Sequence, residues 1–329
     1  MPANSSRISL KPVPPFSFEM STSIFSGGDP QFRAYQDGKF WQVLRVNDRL
    51  MLTTIKSTGT VEEPRLSAVL DSKKPISPRD SRAAKAYVAR IFNLDMDLKP
   101  FYKAVRGDPV MSSIVKQLYG LKSPTTPTVF EALVDSIIEQ QISLIAAHAM
   151  EFRLIKAFGE PLNIDGSKYF AYPTPERLSA SRIEDLRACG LSGRKSEYIK
   201  DVSLLVASGR LDLDKFEQYD DIDKIREELG QVRGIGAWTA EMVMIRGLHK
   251  MDSIPADDVG LQAKISHFYG KGRRVSSTEV REIAKSWGRY RGLGGFYMIA
   301  AHHLGIGPQA SWPEMRRDAS SRSAAVRSG

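Results

Sequence analysis

The 329-residue chain contains a single cysteine, Cys189. That excludes an intramolecular disulfide framework, a four-cysteine zinc site and a cysteine-ligated iron–sulfur cluster. Long hydrophobic runs are missing too: no stretch approaches the ~18 apolar residues of a membrane span, and no apolar segment follows a basic start at the N-terminus. Both absences point to an intracellular protein with no membrane association. Acidic residues are outnumbered, Asp+Glu 38 against Lys+Arg 47, for a formal net charge of +9. Such a balance points toward an anionic partner such as nucleic acid, although Lys-rich solvated surfaces produce it as well. What the chain does have is 42% hydrophobic residues, enough for a sizeable core over a length that corresponds to roughly two domains.

The organisation reads as α+β. Residues 1–13 are polar, carry two prolines and read as a flexible tail. Residues 14–78 read as an antiparallel sheet module. Within it Phe16–Met20 alternates, Asp37-Gly38 makes a hairpin turn, and Asn47-Asp48 separates the strand-rich segments Phe40–Val46 and Arg49–Ile55. The segment from Pro75 to Pro78 is a joint. Over residues 79–308 the apolar spacing changes from period 2 to period 3.6, predicting an all-α bundle of eight to ten helices. Phe130, Leu133, Val134, Ile137 and Ile138 form the stripe of a helix opened by Pro127. Ser181 with Glu184 and Ser276 with Glu279 read as capping boxes, and Gly190 as a helix stop. Residues 309–329, rich in Ser, Ala and Arg, read as a disordered basic tail.

The most informative stretch runs from Leu229 to Ala240. A helix ends, Gly234-Ile235-Gly236 turns tightly, and a new helix starts near Ala237 with unpaired N–H groups. Those donors and the helix dipole suit a phosphate. Ile235 would pin the hairpin from inside, while Arg233 and Lys250 supply charge; a plain helical hairpin with a glycine cap is the alternative. Some twenty residues on, Asp257-Asp258 precedes another helix, where one carboxylate can cap and the other act. From Lys271 to Arg291 seven basic residues (Lys271, Arg273, Arg274, Arg281, Lys285, Arg289, Arg291) face only Glu279 and Glu282, a local balance of +5.

The combination L-x-x-V-x-G-I-G-x-W-T-A followed by P-A-D-D-x-G-L resembles the helix-hairpin-helix DNA glycosylases, and within them the 3-methyladenine DNA glycosylase II group. The resemblance covers about residues 100–305 and implies an all-α helix-hairpin-helix glycosylase bundle behind an N-terminal antiparallel sheet module. It further implies that Asp258 is the catalytic carboxylate and that Gln141, with Gln140 second, is the wedge entering the gap left by an extruded nucleotide. Trp238, Met242, Tyr297 and Ile299 would line the base pocket. Arg233, Gly234, Ile235, Gly236, Ala237, Thr239, Gly193, Arg194, Lys195 and Arg291 would lie along the DNA. In the bifunctional relatives a lysine stands where Trp238 falls, so the resemblance implies a monofunctional enzyme.

An extruded alkylated purine is already cationic and leaves readily, and a carboxylate beside the sugar stabilises the charge that develops there. No cofactor is required and no side chains form a metal site, though the resemblance implies a possible potassium or sodium ion on hairpin carbonyls. The expected partner is damaged double-stranded DNA, bound by a monomer, in the nucleoid-bearing cytoplasm of a prokaryote or the nucleus of a eukaryote. Trp287-Gly-Arg-Tyr-Arg-Gly-Leu-Gly294 departs from the family's W-x-P-x-R-S-x-A segment, and an aromatic is missing near Ile299. Deaminated or oxidised bases (hypoxanthine, uracil, 8-oxoguanine) are therefore alternative substrates, and a non-catalytic DNA-binding protein is an alternative class.

Overall fold

The computed structural model describes residues 4–270 and 272–307. Its N-terminal module is an antiparallel five-stranded sheet in the order β1-β5-β4-β3-β2. The strands are β1 (Ser5–Leu10), β2 (Arg33–Gln36), β3 (Lys39–Val46), β4 (Arg49–Ser57) and β5 (Leu66–Asp71). Asp37, Gly38, Asn47 and Asp48 all have positive φ, between 47° and 72°. Both two-residue turns thus match the twist of their strands and fix the registers Gln36↔Lys39 and Val46↔Arg49.

Two expectations fail in this module. Residues 1–13 include β1, which pairs with β5 from Ser5↔Asp71 to Leu10↔Leu66. Ile8 and Leu10 alternate inward and are buried, so a polar-looking segment covers a sheet edge. Phe16–Met20 is not a strand: Phe18–Thr22 forms helix α1, capped by the Ser17 hydroxyl, which accepts from the Met20 N–H. Five alternating residues cannot outweigh a cap, and both phenylalanines are buried all the same.

Helix α2 (Pro78–Ile91) opens with a complete Ser77–Asp80 capping box and closes the sheet core with Ala84, Val88 and Ile91. Then follow α3 (Lys99–Ala104), α4 (Pro109–Gln117), α5 (Val129–Glu139) and α6 (Leu144–Phe158). A hairpin of β6 (Pro161–Ile164) and β7 (Ser167–Phe170) interrupts the helical region, which is therefore not all-α. Beyond it come α7 (Pro175–Ser179), α8 (Ile183–Ala188), α9 (Gly193–Ala207), α10 (Ile222–Gly230), α11 (Ala237–Arg246), α12 (Val259–Tyr269), α13 (Ser277–Lys285) and α14 (Arg291–His303). From α2 onward the described residues hold thirteen α-helices, more than expected, because helices as short as α3, α7 and α8 show no period.

The Ser276–Glu279 box is present, whereas Ser181 caps nothing: its hydroxyl donates to Leu178 O and Arg182 stands at the N-cap of α8. The proposed tail 309–329 lies outside the described residues. Two helical cores result. One gathers α5, α6 and α7 through α11 around Leu133, Ile137, Leu154, Ile199 and Val243. The other gathers α3, α4 and α12 through α14 around Phe101, Ile265, Trp287, Leu293 and Tyr297. Asp257 and Asp258 lie on the connection that runs from one core to the other.

Candidate active site and nucleic-acid interface

Helices α10 and α11 are joined by a turn over residues 231–236. Ile235 is buried and its N–H donates to Val232 O at 3.0 Å, so the apolar residue between the two glycines pins the turn to the core. Gly234 has φ 91°, and a Cβ there would sit 2.4 Å from the Tyr198 ring. The turn therefore closes only against a glycine. Gly236 is the N-cap of α11 and has no side chain to accept a bond. Ala240 N–H is the first amide of α11 to be satisfied, by Gly236 O. The main-chain N–H groups from Gly236 to Trp238 are left without helical partners beside an open depression of about 440 Å³.

Asp258 is half-buried at the N-cap of α12. One oxygen accepts from Leu261 N–H at 2.6 Å and the other from Trp238 Nε1 at 3.0 Å. Both bonds fix the carboxylate in one orientation, and the second ties it to the first turn of α11. Asp257 is a separate element: it is exposed and paired with Arg281 at 2.7 Å, and that guanidinium holds its carboxyl below the usual carboxylate range. Trp238, Met242 and Arg246 stand on one face of α11 at successive turns, the first two half-buried.

The other candidate residues divide. Gln141 is exposed at the junction of α5 and α6 with φ 56°. Gln140 is not available as a wedge, because its Nε2 donates to Gly234 O and to Thr239 Oγ1, both at 2.9 Å. Thr239 is accordingly buried, main chain included, and is corrected as a DNA contact. Arg233 is no free phosphate ligand: Glu197 at 2.6 Å and Asp201 at 3.1 Å neutralise it, and it lies over the Tyr198 ring. Gly193, Arg194 and Lys195 form the first turn of α9 rather than a loop. Lys195 donates to Ile138 O at 2.7 Å, while Arg194 is exposed and without an ion pair among the described residues.

Tyr297 is corrected as a pocket residue. It is fully buried, with its hydroxyl donating to Leu121 O at 2.7 Å, so neither face is open to a base. Ile299, two residues on, is 39% exposed. Arg291 opens α14 with its Nε buried and without a partner among the described residues. In the basic stretch Arg273, Arg281 and Lys285 are paired with Glu279, Asp257 and Glu282, leaving less free charge than the count implied. The Gly294 departure has a steric cause: a Cβ would meet Trp287 Cε3 at 2.4 Å.

Sequence reasoning missed the polar face of α5. Glu131, Asp135 and Glu139 recur every fourth residue, and Glu131 and Asp135 are buried. Tyr172 donates to Asp135 at 2.6 Å, Arg33 pairs with Glu151 at 3.0 Å, and Arg246 pairs with Glu139 at 2.6 Å. Burial pushes the Glu131 carboxyl up to about 8. The available signal was the acidic spacing itself, which equally describes a solvated face.

Residues 134–289 match the HhH-GPD superfamily base excision DNA repair protein family. The DNA-3-methyladenine glycosylase of Bacillus subtilis is 32% identical over 229 residues, 70% of this chain and 75% of that protein. The chain therefore belongs to the HhH-GPD superfamily. Within it this DNA glycosylase stands with the alkylbase group. DNA-3-methyladenine glycosylase 2 of Escherichia coli is 27% identical over 172 residues, 52% of this chain and 57% of that one. The 3-methyladenine DNA-glycosylase structure from Archaeoglobus fulgidus superposes with a TM-score of 0.77 at 25% identity over 91% of this chain and 99% of that one. The glycosylase thus combines a hairpin, a fixed carboxylate and a sheet module in a fold of base excision repair. No helix of its described residues is long and apolar enough to cross a membrane.

Proposed function

We propose that this glycosylase is monofunctional and excises alkylated purines from double-stranded DNA, with Asp258 as its catalytic carboxylate. The observation that carries this reading is the Trp238 Nε1–Asp258 Oδ2 bond, which joins the carboxylate to the helix whose free amides suit a phosphate. The hairpin holds the backbone through the N–H groups of Gly236 to Trp238, Arg194 adds a phosphate contact, and Gln141 enters the gap left by the extruded nucleotide. Trp238 and Met242 face the base, and the indole can attract a cationic purine.

The C1′–N bond then breaks and the base leaves with the bonding pair. Asp258 stabilises the positive sugar, orients a water molecule for attack on C1′ and accepts its proton. No amine stands at position 238 to form a Schiff base, and Lys250, twelve residues further along, donates to Glu217 O. A monovalent cation on the hairpin fits only in part, since Gly234 O and Val232 O already accept hydrogen bonds. Bound there, it would add positive field for a phosphate and take no part in bond cleavage. A monomer suffices for these steps, and the enzyme works wherever the DNA lies, in the nucleoid or the nucleus.

The test uses duplexes carrying single 3-methyladenine, 7-methylguanine, hypoxanthine, uracil or 8-oxoguanine lesions, scored for abasic sites. Asp258→Asn should slow base release by about 10²–10³-fold or more while the protein stays folded and binds DNA. Full activity in that variant would remove Asp258 from the mechanism. A covalent adduct trapped by borohydride would contradict the monofunctional assignment.

A further inference from the structure

Asp258 and Trp238 occupy one end of the α11 face, and Arg246, paired with Glu139 of α5, occupies the other. Trp238, Met242 and Arg246 occupy successive turns of that face. Helical side chains lean toward the N-terminus of their helix, so the Arg246 guanidinium reaches back toward Met242 and Trp238. Its partner shows how far: Arg246 Nη1 meets Glu139 Oε1 at 2.6 Å, and the next residue, Gln140, touches Gly234 and Thr239 in the hairpin. The main chain of Arg246 is fixed in turn, its carbonyl accepting from the Thr126 N–H at 3.0 Å and from the Thr126 hydroxyl at 3.2 Å. The pair therefore bridges α11 and the C-terminal end of α5, one residue from Gln140 and two from Gln141 at the wedge junction.

The pair is not sealed in the core. The Arg246 side chain keeps 30% exposure and that of Glu139 10%. Among the described residues the guanidinium has no acceptor other than Glu139, and the second Glu139 oxygen accepts no hydrogen bond. A fixed donor and a fixed acceptor thus stand side by side with spare capacity, on the helix face that carries Trp238 and Met242.

We propose that the Glu139–Arg246 pair is a specificity determinant that reads the six-membered-ring edge of the extruded purine and favours 6-oxopurines. This rests on the glycosylase reading above. A 6-oxopurine presents the O6 acceptor beside the N1–H donor, complementary to Arg246 and Glu139 respectively. 3-Methyladenine in the same pose presents an amino donor to the arginine and the N1 acceptor to the carboxylate, two like-with-like contacts. The pair also suits a pocket in which Tyr297 is withdrawn into the core and Ile299 is aliphatic, because polar edge reading then takes over selectivity that a second stacking ring would supply.

Single-turnover base release from duplexes with hypoxanthine, 7-methylguanine or 3-methyladenine in one sequence context tests this. Arg246→Met should lower release of the two 6-oxopurines by about tenfold to a hundredfold, the discrimination of one good base-edge contact. Release of 3-methyladenine should change by less than about threefold on the same scale. Glu139→Gln keeps an oxygen for Arg246 but offers N1–H a donor; it should shift selectivity the same way and, as the milder change, decides the matter if Arg246→Met unfolds. Equal losses on all three lesions, no change on any, or a wild-type enzyme that releases 3-methyladenine and neither 6-oxopurine would overturn the proposal with the glycosylase reading intact. Failure of the wild type on every lesion would instead overturn that reading.

Discussion

Gly234 sits where two requirements coincide. Its φ of 91° lies in the left-handed region, and a Cβ would collide with the Tyr198 ring at 2.4 Å. Gly234→Ala should destabilise the protein by about 2–3 kcal/mol, seen as a lower melting temperature, and weaken DNA binding by displacing the α11 amides. Trp238 tests a different link. Trp238→Phe keeps the aromatic face but removes the N–H that holds Asp258 Oδ2, while Leu261 N–H still holds the other oxygen. A loss of about tenfold in kcat with little change in DNA affinity is expected, the size of one hydrogen bond to a charged group. An equal loss from Trp238→Ala and Trp238→Phe would assign the effect to the bond rather than to stacking. The glycines and Ile235 could be picked out in the sequence because turn chemistry is local, whereas Trp238 and Asp258 were singled out by the motif resemblance. The fate of Arg233 could not, since the carboxylates that neutralise it come from α9.

Helix α5 shows how an element can mislead. Its apolar stripe Phe130, Leu133, Val134, Ile137 and Ile138 is buried as the period demands, yet Glu131, Asp135 and Ser136 are buried as well. Packing of α5 on α11 and α6, with Tyr172 donating to Asp135 and Arg33 pairing with Glu151 beside it, covers the polar face. Burial raises the Glu131 carboxyl from 4.5 to about 8, so the folded state holds a proton that the unfolded chain releases. Stability from that proton is fully present below the unfolded value and is lost as pH rises through about 8. Thermal melts of the wild type should therefore fall between pH 5 and 8.5, whereas Glu131→Gln, neutral throughout, should match the wild type at pH 5 and melt higher at pH 8.5 by the equivalent of about 4 kcal/mol. Parallel pH profiles for the two proteins would show that Glu131 is already charged in the folded state.

At the scale of the whole molecule, β1 and the distribution of charge matter most. Because Ser5–Leu10 pairs along β5 and buries Ile8 and Leu10, removing residues 1–12 should lower the melting temperature and promote association through the bared edge of β5. A truncated protein with unchanged melting would make β1 dispensable. Free cationic groups are fewer than the net charge suggests, so DNA affinity should still fall with salt, but with a slope matching a few phosphate contacts rather than the full basic stretch. Titration of a lesion-free duplex at several salt concentrations measures that slope.

Sequence alone determined the sheet module followed by helices and the hairpin, because these are written in turn residues and short spacings, and its motif resemblance pointed to the superfamily and to the carboxylate at the head of α12. Only the tertiary structure decided which candidate residues are free to act. It withdrew Tyr297 into a core, tied Gln140 to the hairpin and Lys195 to α5, and paired Arg246 with Glu139 across two helices. Those outcomes depend on which surfaces meet, and contacts between residues a hundred positions apart leave no period in the sequence.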